Sequence, residues 1–103
     1  MISVYISGPY SKHMVEGTRN AILAAEELRE AGFLPFVPHL SLLWDLVCPS
    51  PYDEWITYDL AWLDKCDFLL RLPGDSPGAD QEVAHAQKLG MPIFYSTKEV
   101  IHG

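Results

Sequence analysis

Basic residues are scarce in this chain. Seven Lys plus Arg face fourteen Asp plus Glu over 103 residues, a net charge of −7. They form no cluster, so the sequence lacks the pattern that holds a phosphate backbone, and nucleic acid is not an expected partner. Cysteine is almost as rare. Cys48 and Cys66 make no CxxC pair and have no His at ligand spacing, which argues against a disulfide framework and a zinc site. No metal and no other cofactor is expected. No apolar run reaches membrane-spanning length, so a membrane is not an expected partner. The opening MISVYISGPYS lacks the charged start and apolar stretch of a signal peptide, so a cytoplasmic location is expected. GxGxxG is absent, and Ser11-Lys12 after Gly8 does not have the GxxxxGK[ST] spacing, which leaves a dinucleotide or a P-loop phosphate site without support.

What remains is an ordinary balance, 49% hydrophobic and 20% charged, enough for one domain over residues 1–103 with a core that needs no staple. Ile2 to Ser7 alternates as a first strand. Lys12 to Ala31 is helical, with Val15, Ala21, Ile22, Ala25 and Leu28 recurring at three and four and Gly32 as the stop. Phe33 to Val37 reads as a second strand. Leu40 to Pro51 is too apolar for a plain loop and reads as a short helix that covers a site or packs on a second copy. Ser50 as N-cap, Pro51 and Asp53 then open a helix to about Lys65. Phe68 to Leu72 is a third strand, Ala79 to Leu89 a helix, Pro92 to Ser96 a fourth strand, and Thr97 to Ile101 a last helical turn. Alternating strands and helices predict a three-layer α/β sandwich, flavodoxin-like (Rossmann-like), with a parallel sheet of four to five strands in the order 2-1-3-4. Ligands in such folds bind beyond the carboxyl ends of the strands, where this sequence carries Gly8-Pro9-Tyr10, Pro38-His39 and Pro73 to Gly78.

Two acids stand out. Glu82 falls in the first turn of the helix predicted from Ala79, on the inward face with Ala79, Val83 and Ala86. It reads equally as an ordinary first-turn acid and as a functional carboxylate kept ionised by the helix dipole. Asp59 shares a helical stripe with Tyr52, Ile56 and Leu63, where an apolar residue belongs, so it is either structurally capped or functional. Tyr5 by itself reads as core, and Tyr10 and Trp44 as packing or as surfaces on which a base could stack. His39, at a strand end, fits a ligand contact and a loop residue equally well. His13, His85 and His102 have no partner spacing and read as surface.

The run YDLAWLDKCDFLLRLPGDSPGADQEVAHAQKLGMP, together with Tyr5-Ile6-Ser7-Gly8-Pro9 upstream, resembles the nucleoside 2-deoxyribosyltransferase superfamily, including its deoxynucleoside 5-phosphate N-hydrolase branch. The resemblance spans the chain from the first strand to the fourth. It implies cleavage of the N-glycosidic bond of a nucleoside 5-monophosphate or nucleoside, by hydrolysis or by transfer of the sugar to another base. Glu82 would be the nucleophile, Asp59 would aid the leaving base or orient the sugar, and Tyr5 would hold Glu82. Gly8, Pro9, Tyr10, His39, Ser76 and Gly78 are expected to bind the substrate. Ser76, six residues before Glu82, resembles the branch in which a Ser helps to bind the 5-phosphate, so a nucleoside monophosphate is the expected substrate. Asp75 and Asp80 would repel that phosphate, leaving Lys12, Arg19 or Arg71 to compensate, and Pro9 departs from the phosphate-binding pattern because it has no N–H. Homodimers or larger homo-oligomers are implied as well. Two other readings are a nucleotide-binding module without turnover and an interaction protein acting through Leu40 to Val47.

Overall fold

Strand β1 (Ser3–Ser7) sorts its side chains by the period of two that a strand imposes. Val4 and Ile6 point to one face and Tyr5 and Ser7 to the other, and all four are fully buried. A computed structural model describes residues 1–10 and 14–103, with β1 flanked by β2 (Leu34–Phe36) and β3 (Phe68–Arg71) and with β4 (Ile93–Phe94) beyond β3. All pairings are parallel, in the order β2-β1-β3-β4, as the sequence predicts.

The two faces of the sheet are covered by different helices. Val4, Ile6 and Leu70 meet Ala21, Ala24, Ala25 and Leu28 of α1 (Met14–Glu30) and Val100 of α5 (Thr97–His102). Tyr5 and Leu69 meet Leu63 of α3 (Tyr52–Leu63) and Ala86 of α4 (Pro77–Leu89). Between β2 and α3 the chain makes a 3-10 turn, Pro38–Leu40, and the short helix α2 (Ser41–Val47). No helix of the described residues is long and apolar enough to cross a membrane.

Several boundaries differ from expectation, each for a local reason. Lys12 and His13, where the first helix was expected to begin, lie outside the described residues, as does Ser11. Val15 and Ile22 are exposed at 81% and 43%, so the buried stripe of α1 is the small-residue one around Ala21, Ala24 and Ala25. That stripe lets the helix lie close to the chain. At Gly17 a Cβ would sit 2.2 Å from the Pro9 carbonyl oxygen, so only glycine fits there. Ser50 does not cap α3: Pro51 occupies the cap position in an extended conformation, no side chain bonds the first turn, and the Ser50 N–H donates to Asp45 Oδ1 instead. Helix α4 starts at Pro77, two residues earlier than expected, because the Ser76 hydroxyl accepts from the Ala79 N–H. β4 is short because Ser96 caps α5 through the Glu99 N–H.

Candidate active site

The earlier start of α4 changes the reading of Glu82. It is the sixth residue of the helix, beyond the first turn, where the pull of the helix dipole has faded. It is also 6% exposed, which excludes an ordinary surface acid. What holds it is the sheet below. The Tyr5 hydroxyl donates to Oε2 at 2.5 Å and the Ser7 hydroxyl to Oε1 at 2.7 Å, one donor for each oxygen. Burial raises the carboxyl above its ordinary range, and the Tyr5 and Ser7 hydroxyls and the Arg71 charge oppose that rise. Burial, followed by the Glu82 charge, pushes the Tyr5 phenol far up, so it remains a donor.

Asp59 reaches the same cavity from α3. Its Oδ1 is buried without a hydrogen-bond partner among the described residues. Burial, with the nearby Glu82 charge adding to it, raises its pKa to about 7. The two acids therefore differ in kind. Glu82 has two hydroxyl donors that favour its anion, whereas Asp59 has none among the described residues and keeps its proton near neutrality.

The cavity is about 230 Å³ and lies at the carboxyl ends of the strands. Of the residues expected to bind substrate, Gly8, Tyr10, His39, Ser76 and Gly78 line it, and Pro9 does not. Pro9 turns away, its ring beneath Gly74, where a Cβ would come within 2.7 Å of Pro9 Cγ. Tyr5 lies below the cavity wall and reaches it only through Glu82. His39 is 4% exposed, stands edge-on to Tyr10 at 5.8 Å, and has both ring nitrogens unpartnered among the described residues. Burial lowers its pKa, and the neighbouring Pro9 and Gly8 carbonyls oppose this, so the ring is neutral. Trp44 does not line the cavity; it packs edge-on against Trp55 and Tyr58.

Sequence reasoning missed several wall residues, namely Asp45 from α2 and Tyr52 and Trp55 from α3. Ser7 was also missed, although a signal existed: it lies two residues beyond Tyr5 and so shares its face. The cations named for a phosphate are differently used. Arg71 donates to the Leu72 and Gly74 carbonyls and to Asp80 (3.2 Å), and Arg19 is exposed on α1. Lys12 lies outside the described residues. His85, read as surface, pairs with Asp64 at 2.5 Å and ties α4 to the end of α3. Among the described residues no group of His, Cys, Asp and Glu is placed to hold a metal ion.

Comparison with known proteins agrees with this architecture. The fold is similar to that of the 2-deoxyribosyltransferase from the psychrotolerant bacterium Bacillus psychrosaccharolyticus, with a TM-score of 0.62 and 22% identity over 88% of this chain and 69% of that one. At that identity the likeness is one of fold, and it bears out the resemblance carried by the sequence at that level. No curated protein sequence matches the chain. Residues 2–95 match the family model described as "Domain of unknown function (DUF4406)". With the match running over nearly its whole length, the chain belongs to the DUF4406 family and carries a deoxyribosyltransferase-like fold.

Proposed function

We propose that this protein cleaves the N-glycosidic bond of a nucleoside or nucleoside 5-monophosphate. The observation that carries the reading is the pair Glu82 and Asp59, brought to one cavity by two helices, the first with a hydroxyl donor on each oxygen and the second with an Oδ1 that has no partner among the described residues. Glu82, aligned by Tyr5 and Ser7, attacks the anomeric carbon. The C–N bond breaks and its electron pair leaves with the base, which takes the Asp59 proton. The glycosyl-Glu82 ester is then opened by water, with the Asp59 carboxylate as base, or by the nitrogen of a second base.

Charge favours the uncharged nucleoside over its monophosphate. Asp45, Asp59 and Glu82 line the cavity, whereas none of its described lining residues is Lys or Arg. The hydroxyl of Ser76 accepts from the Ala79 N–H in capping α4, and its own O–H stays free to donate to a substrate. Exposure of Leu43, Leu46 and Val47 along α2, at 71%, 68% and 80%, supports self-association of copies of the chain.

The test is release of free base, followed by chromatography, from a panel of ribo- and deoxyribonucleosides and their monophosphates, with and without a second base. Wild type is expected to release base, and Glu82→Gln to lose that release. No release from any substrate, by protein that still shows a thermal shift with nucleoside, would replace this reading with a binding module.

A further inference from the structure

Asp45 is a third carboxylate at the cavity, and the proposed reaction has no use for it. One of its oxygens, Oδ1, accepts from the Trp55 indole N–H at 2.6 Å and from the Ser50 backbone N–H at 3.0 Å. Those two donors hold the group below the ordinary carboxylate range, so it is an anion at neutral pH and accepts only. They also fix its plane. Oδ2 has no partner among the described residues, which leaves it as a set acceptor on a residue of the cavity wall.

The surroundings of Asp45 are flat and aromatic. Trp55, whose N–H is spent on Asp45, is wedged edge-on between Trp44 (5.4 Å, 76°) and Tyr58 (5.7 Å, 89°), so its ring plane is fixed. Tyr10 and Tyr52 line the same cavity; burial raises the Tyr10 phenol, and the Asp45 and Asp59 charges add to that rise. A rigid indole beside a fixed anionic acceptor suits a planar ring that carries an N–H donor at its edge. Glu82 and Asp59, on α4 and deeper along α3, are left for the sugar and the bond that breaks.

We infer that Asp45 is a specificity-determining residue that accepts a hydrogen bond from the exocyclic amino group of a nucleobase stacked beside Trp55. Amino bases, adenine and cytosine, are then preferred to their oxo counterparts, hypoxanthine and uracil, which place a carbonyl where the amino group would be and offer the anion only the adjacent ring N–H. The inference rests on the reading of the cavity as a nucleoside site and adds its base selectivity.

Asp45→Asn tests it with little structural cost. The Asn carbonyl can keep both bonds from Trp55 and Ser50, and its NH₂ then puts a donor in the place of Oδ2. Calorimetric binding of free adenine, hypoxanthine, cytosine and uracil is measured for wild type and for Asp45→Asn, with near-ultraviolet circular dichroism to confirm that Trp55 keeps its environment. Wild type is expected to bind each amino base roughly tenfold more tightly than its oxo partner, and the variant to reverse that order. Equal affinities in wild type, or a preference that the variant leaves unchanged, would overturn the assignment. The readout does not depend on turnover. A reversal of binding in protein that cleaves no nucleoside would sustain Asp45 while removing the glycosidase reading, and cleavage with no effect of Asp45→Asn on selectivity would do the opposite.

Discussion

Two carboxylates in one cavity have separate work only if their protons are held differently, and here the difference lies in a few neighbouring atoms. Glu82 has a hydroxyl on each oxygen, from Tyr5 and Ser7, while Asp59 Oδ1 has no partner among the described residues. Glu82→Gln keeps the shape and removes the nucleophile, so base release should fall by roughly 10³-fold or more. Tyr5→Phe leaves only the Ser7 donor. Since the Tyr5 bond lowers the Glu82 pKa, its loss should move the acid limb of the kcat/KM profile to higher pH, which a pH series on the variant would show. Asp59 acts as an acid only while protonated, so activity should decline above about pH 7, and Asp59→Asn should abolish that alkaline limb together with most of the rate. An unchanged limb in the variant would assign it to another group.

At the level of elements, the chain holds two Ser-Pro pairs that look alike and behave differently. Ser76 caps α4 through the Ala79 N–H, whereas Ser50 leaves α3 uncapped. Ser76→Ala should therefore cost about 1 kcal/mol in denaturant unfolding, and Ser50→Ala less than about 0.5 kcal/mol. Similar losses in both would contradict the assignment of the caps. The same pairs show what the sequence carries. Strand order, the switch-point edge and the Tyr5–Glu82 pairing follow from local alternation, element order and family resemblance, all of which are written along the chain. Ser50, by contrast, is diverted by Asp45, five residues earlier in α2, and no periodicity records that contact. Trp55 and Asp45 become wall residues for the same reason: the turn between α2 and α3 brings them together, and each alone reads as an ordinary polar or aromatic residue. Val15 and Ile22 were misplaced because the buried face of α1 is set by close approach at Gly17 rather than by residue size.

At the scale of the whole molecule, the site costs the fold stability, and the cost depends on pH. Asp59 titrates at about 7 in the folded protein, against about 3.9 for an unfolded aspartate. Between those values the folded state keeps a proton that the unfolded state has released. Stability should thus be greatest below about pH 4 as far as this group is concerned, fall as pH rises to about 7, and level off above. Glu82, also raised by burial, acts in the same direction. The fourteen acids and four histidines contribute slopes of their own, so the informative quantity is a difference between proteins. Thermal melts of wild type and Asp59→Asn from pH 4 to pH 8 should diverge, with the variant gaining on wild type through that window and holding a constant advantage above it. Parallel curves would mean that Asp59 ionises as freely in the fold as outside it, and the acid of the proposed reaction would have to be sought elsewhere on the cavity wall. Divergence would show that the fold sustains a protonated carboxyl beside Glu82 at a free-energy cost, which is the condition the proposed proton transfer to the leaving base requires.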